Sequence, residues 1–123
     1  MYRLEYDLTQ TGLRAIFKQR QETTLHTIIE NPQGLNSRDT WEKVNKTLGK
    51  DTISRASIIN FLEDMRQMGV LTGDDHTGKG GHHWIYKAAM DEASLKQFIT
   101  EQILGSLIRD FPEETKTALR KIS

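Results

Sequence analysis

The chain has 123 residues, with 17 basic and 17 acidic side chains and a formal net charge of zero, so it lacks the bulk positive charge that usually accompanies phosphate binding. It contains no cysteine, which excludes disulfides and thiolate metal sites and agrees with a reducing compartment. Its longest apolar run falls far short of the roughly 20 residues that cross a bilayer, and the opening "MYRLEYDLTQ" carries acids where a signal peptide needs an apolar stretch, so a soluble cytoplasmic protein is expected.

Along residues 1–10, Tyr2, Leu4, Tyr6 and Leu8 alternate with polar residues, the period of a half-buried strand or of an extended arm that packs on a partner. From Thr11 the period lengthens. Leu13, Ile16, Phe17, Leu25, Ile28 and Ile29 suit one long helix or two short ones, and "ENPQG" stops them. Asn36 or Ser37 caps the next helix, which places Trp41, Val44 and Leu48 on one face and ends near Gly49. After a tight "KDT" connection, Ser54 caps a third helix whose buried stripe is Ile58, Phe61, Leu62, Met65 and Met68. Val70 and Leu71 open a short strand, and Trp84, Ile85 and Tyr86 form its return. The glycine-rich "TGDDHTGKGGHH" between them reads as a long, unpacked hairpin tip. Asp91 then caps a long helix carrying Leu95, Phe98, Ile99, Leu104, Leu107, Ile108 and Phe111. Pro112 breaks it before a short basic helix, Glu113 to Ile122.

This order predicts a mainly α fold with a small β-hairpin: a winged helix-turn-helix followed by a C-terminal dimerisation helix. The expected divisions are an N-terminal arm or strand over 1–10, a DNA-binding domain over 11–90, and a dimerisation region over 91–123. The third helix is the element shaped for a DNA major groove, which accepts one α-helix with its first turns nearest the base edges. On a helical wheel, Ala56, Asn60, Glu63 and Gln67 point away from the apolar stripe. Ser57 flanks one side, and Arg55 and Ile59 the other. Glu63 and Asp64 would repel phosphates, so only the first half of the helix is expected to dock.

The expected DNA contacts are therefore Ser54, Arg55, Ala56, Ser57, Ile59 and Asn60. Asn60 has the bidentate chemistry that reads adenine, Arg55 suits guanine or phosphate, and Ile59 can meet a thymine methyl or pack on the second helix. Charge distribution adds Arg38, Lys43, Lys46 and Thr52. Bases outnumber acids between Asn36 and Asn60, whereas acids dominate between Asp91 and Glu114. In the hairpin, Lys79 and Gly80 allow close approach of backbone and ammonium to a phosphate, and His82 and His83 add donors.

The segments "SRASIINFLEDMRQMGVL", "WIYKAAMDEAS" and "LKQFITEQILGSLIRDF" resemble the penicillinase-repressor family of winged-helix transcriptional regulators. The resemblance spans roughly Leu25 to Phe111. It implies a dimeric repressor on a palindromic operator, a recognition helix opening at Ser54 to Asn60, a wing over Leu71–Tyr86, and dimerisation through the C-terminal helices. In some relatives, cleavage at an Asn-Phe bond in those helices ends repression, and copper-responsive relatives carry C-terminal cysteines. Neither feature occurs between Asp91 and Phe111 here. Independently of the resemblance, Leu95, Phe98, Ile99, Leu104, Leu107, Ile108 and Phe111 exceed what a small core can cover, which marks a partner surface, expected to be a second copy.

Two other readings follow from the same residues. His76, His82 and His83 with Asp74 and Asp75 raise a metal site, but adjacent His82 and His83 project differently and no His-x-x-x-His pair exists. No metal and no cofactor are expected. No phosphate loop, nucleophile–base set or paired-carboxylate arrangement can be argued, so no enzyme is expected. The stronger alternative is a winged-helix protein–protein interaction module without DNA-binding activity, because fold does not fix function. The sequence names no small-molecule or metal effector.

Overall fold

A computed structural model describes residues 2–78 and 81–123, excluding the side chains of residues 77, 78, 81 and 82. The chain divides into two compact units, Met1–Asp91 and Glu92–Ser123. The first unit contains a short 3-10 turn, Gly12–Ala15, then α1 (Gln19–Ile29), β1 (Leu35–Asn36), α2 (Ser37–Leu48), α3 (Arg55–Met68), β2 (Leu71–Gly78) and β3 (Gly81–Ala88). Its three strands form an antiparallel sheet in the order β1-β3-β2. Three helices, a two-residue strand between the first and second, and a hairpin after the third make this unit a winged helix-turn-helix.

Local chemistry supplies a cap at the start of α1, α2 and α3. The Asn36 side chain accepts from the Asp39 N–H at 2.7 Å, and Ser54 Oγ accepts from the Ser57 N–H at 3.1 Å, each satisfying an otherwise orphan helix donor. For α1 the Gln21 side chain reaches back to the Lys18 N–H at 3.0 Å. The core then follows the apolar periods. Phe17, Leu25, Ile28, Val44, Ile58, Leu62, Met65 and Leu71 are buried almost completely, each such side chain contributing about 1.5–3 kcal/mol of transfer free energy.

The turn between α2 and α3 is held by an unusually complete set of bonds. Ile53 N–H donates to Asn45 Oδ1 at 2.8 Å, while Asn45 Nδ2 and Trp41 Nε1 both donate to the Ile53 carbonyl, at 3.1 and 2.9 Å. Trp41 is thus half-buried with its indole N–H satisfied. This fixes the angle at which α3 leaves α2.

Two sequence expectations are corrected. Residues 2–10 contain no strand. Tyr2 instead packs on its own unit, 6.3 Å from Phe17 and 6.0 Å from Phe61 between ring centroids, and its hydroxyl lies 3.2 Å from Gln21 Oε1. Of the alternating set, Tyr2 and Leu4 are half-buried, whereas Tyr6 and Leu8 are exposed. The glycine-rich hairpin is also more regular than expected. β2 and β3 pair in continuous register from Leu71↔Ala88 to Gly78↔Gly81, because ladder bonds compensate for weak strand propensity.

Two glycines are required by this packing. A Cβ on Gly34, which has φ +94°, would sit 2.5 Å from Ile85 Cγ2. A Cβ on Gly73 would sit 2.7 Å from Arg66 Cδ and 3.1 Å from the Trp84 ring.

The second unit is a helical pair, α4 (Glu92–Asp110) and α5 (Pro112–Ile122). Pro112 occupies the first turn of α5, where its missing N–H costs nothing. Thr115 Oγ1 donates to the Phe111 and Leu107 carbonyls at 2.6 and 3.1 Å, pinning the corner. Among the described residues, no helix is long and apolar enough to cross a membrane.

Candidate nucleic-acid interface

The first turns of α3 present a continuous exposed face. Ser54, Arg55, Ala56, Ser57, Ile59 and Asn60 are all exposed, while Ile58 within the run is fully buried. Burial of Ile58 fixes the rotation of the helix, so the other six side chains must face outward. Ile59 is 38% exposed, so of the two roles expected for it the outward one is geometrically open. The Ser54 and Ser57 hydroxyls lie 2.9 Å apart, which preorganises both at the helix start.

Arg38, Lys43, Lys46 and Thr52 are exposed as well. Arg38 differs from the lysines, because Glu42 one turn later holds its Nε at 3.3 Å and compensates its charge. Lys79 and Gly80 lie outside the described residues, as does the His82 side chain. His83 is exposed, with its ring stacked on that of His76 at 6.0 Å and 18° between planes.

Glu63 departs from its expected place. It is half-buried and engaged, where the wheel put it free on the outer face. The Arg66 guanidinium makes bonds of 3.0–3.3 Å to both its oxygens, and the Tyr86 hydroxyl donates to Oε2 at 2.6 Å. These contacts, Arg66 first, hold the Glu63 carboxyl below its ordinary range against the opposing effect of burial. Burial, followed by the neighbouring carboxylate, pushes the Tyr86 phenol well above its ordinary value. Arg66 also lies 5.1 Å over the Trp84 ring, a cation–π contact. The network joins the back of α3 to the hairpin, so Glu63 supports the wing. Its negative charge is largely compensated by the Arg66 guanidinium.

One feature escaped sequence reasoning. Lys18, Gln19, Arg20 and Gln21 at the start of α1 share an open groove with Asp51, Ile53 and Ser57. Arg20 Nε donates to the Asp51 carbonyl at 3.1 Å, bringing α1 beside the start of α3. These bases lie more than thirty positions from Ser57 in the chain, and only the tertiary fold unites them.

In the second unit, Leu95 and Ile99 are buried within the chain, Phe98 and Leu104 are half-buried, and Leu107, Ile108 and Phe111 are exposed. The apolar surface left open therefore begins at the last three and continues onto α5 through Leu119 and Ile122. Among the described residues, no group of three or more His, Asp or Glu side chains is arranged to hold a metal ion.

The arrangement defines a winged-helix protein with an exposed third-helix face. No protein-family model matches the chain, and no curated protein matches it. Among solved structures it is similar to the PcaV transcriptional regulator from Streptomyces coelicolor, crystallised in complex with its natural ligand. The TM-score is 0.49 and the identity 17%, over 86% of this chain and 74% of that one. The winged-helix fold itself stands on the element order and strand register of this chain.

Proposed function

We propose that the protein is a sequence-specific double-stranded DNA-binding transcriptional regulator, a homodimeric cytoplasmic repressor on a palindromic operator, akin to the penicillinase-repressor family. One observation carries this reading: the Ser54 cap and five residues in the first turns of α3 face solvent while Ile58 among them is buried. Small or polar side chains at 54, 56 and 57 let the helix enter a groove, and Arg55 and Asn60 supply the donors that read base edges. Lys43 and Lys46 would neutralise phosphates. The zero net charge is compatible with this, because affinity depends on charge near the groove more than on the sum.

Dimerisation is supported by the second unit. Leu104, Leu107, Phe111, Thr115, Leu119 and Ile122 line an open apolar groove. α5 carries Glu113 and Glu114 in its first turn and Arg120 and Lys121 in its last. Two α5 helices packed antiparallel about a two-fold axis would set acids against bases at both ends, and would also align their dipoles favourably.

Selection of bound fragments from random duplex DNA tests the proposal. An enriched inverted repeat is expected. Absence of duplex binding even at low salt would leave the interaction-module reading in its place.

A further inference from the structure

The hairpin carries a side-chain pair that the proposed α3 interface does not use. His76 and His83 are direct cross-strand partners, both exposed, with stacked rings 6.0 Å apart. Facing residues in an antiparallel ladder share one side of the sheet, and neighbours along a strand alternate. The register therefore puts Thr72, Asp74 and His76 with Lys87, Ile85 and His83 on one face, and Gly73, Asp75, Trp84 and Tyr86 on the other. Glu63 and Arg66 of α3 engage Trp84 and Tyr86, on the face opposite the imidazoles. Among the described hairpin residues, the charged groups that share the imidazole face are Asp74, one cross-strand pair away, and Lys87 at the hairpin base.

Two stacked imidazoles that both gain protons repel each other, and an anion between or beside them relieves that repulsion. A phosphodiester oxygen is such an anion, and it accepts hydrogen bonds from imidazolium N–H groups. Imidazole is also the side chain whose protonation changes within the physiological pH range. We infer that His76 and His83 form a proton-gated clamp for a DNA phosphate, which engages the backbone only as the pair takes up protons. This rests on the DNA-binding reading and adds a regulation to it. Asp74 on the same face opposes the phosphate.

A phosphate raises the proton affinity of the imidazoles it contacts, so protons must raise the affinity for DNA. The gain is complete at low pH and disappears as pH rises. Each proton fully taken up contributes roughly a tenfold gain per pH unit.

The test is fluorescence-anisotropy binding of the full chain to a random-sequence duplex of about 25 base pairs, long enough for two half-sites, at low salt and at several pH values between about 8 and 5.5. Wild type is compared with His76→Asn, His83→Asn and Arg55→Ala. The expected result is an affinity that climbs on the order of tenfold or more toward acid pH. Each histidine variant should lose most of the climb, and Arg55→Ala should bind more weakly yet keep it. An unchanged climb in both histidine variants, or no climb in wild type that binds the duplex, overturns the clamp and leaves the DNA-binding reading intact. No binding at any pH overturns that reading and the clamp with it.

Discussion

The Tyr86 hydroxyl donates to Glu63 Oε2 across 2.6 Å, tying the central strand of the sheet to the back of α3. The same carboxylate holds Arg66, and Arg66 covers Trp84. This network, with Gly73 beneath it, holds α3 and the hairpin at a fixed mutual angle, which the proposed DNA-binding reading requires of a helix and a wing that meet one duplex.

Tyr86→Phe removes the hydroxyl while keeping the ring. A hydrogen bond to a charged acceptor is at stake, but Glu63 retains Arg66 and is about one-third exposed, so the expected loss is about 1 kcal/mol. Urea denaturation should show a lower midpoint with an unchanged slope. An unaltered midpoint would mean that water replaces the phenol at no cost.

Part of the acid stability should trace to Glu63. Its folded carboxyl titrates below the ordinary range, so its stabilisation is complete above the unfolded value of about 4.3 and is lost as pH falls through the lower folded value. Glu63→Gln should therefore flatten the acid limb of the stability–pH curve, while costing stability near neutrality. If wild type and variant run parallel between about pH 5 and 3, the carboxylate has no such role.

Gly73→Ala would place a methyl 2.7 Å from Arg66 Cδ and 3.1 Å from the Trp84 ring. Arg66 must leave the indole to make room, forfeiting the cation–π contact and straining the Glu63 pair. A loss of about 1–2 kcal/mol is expected, together with a shift in Trp84 fluorescence. Thermal unfolding and emission spectra check both, and a variant as stable as wild type would show that the arginine relocates freely.

How much of this could be read from the residues varies by element. Of the stripe Ile58, Phe61, Leu62, Met65 and Met68, the first four are buried and Met68, in the last turn, is half-buried, so the orientation of α3 was legible. So were its boundaries, because Ser54 and Gly69 are the residues that helix ends demand. β1 has only two residues, too few for any period to register. The paired strands of the hairpin are not legible, because glycine, aspartate and histidine lack the alternation of a half-buried strand. Their pairing is decided by the opposite strand. Glu63 looked like an outward charge since a helical wheel knows nothing of Tyr86, twenty-three positions later. The fold was thus written in local patterns, and the supports of the candidate site in long-range contacts.

Phosphate contacts and base contacts should separate by salt. Lys43→Ala and Lys46→Ala are expected to weaken binding to any duplex and to lower the slope of log affinity against log salt by about 1 each. Asn60→Ala should leave the slope unchanged and cost about 1–3 kcal/mol on the preferred sequence alone. Binding isotherms at several salt concentrations distinguish the two classes. A slope unaffected by either lysine would remove both from the interface.

Self-association through α5 has a signature that simple apolar contact would lack. Glu113 and Glu114 stand at one end of the helix, with Arg120 and Lys121 at the other, and Leu119 and Ile122 are exposed between and beyond them. In an antiparallel pair each acidic end meets the basic end of the second copy. Reversing the acids to lysine should weaken the dimer several-fold, since exposed pairs contribute only about 0.2–1 kcal/mol each. Reversing the bases to glutamate should do the same. Combining both reversals in one chain restores opposite charges at every meeting point, although it opposes the helix dipole, so the combined variant should recover much of the lost association. Sedimentation equilibrium at low salt reads all three, with Leu107→Asp as the variant expected to stay monomeric. Recovery in the combined variant is the decisive result. If instead the two reversals add, α5 does not pair with itself in this orientation, and the apolar groove must meet its partner another way.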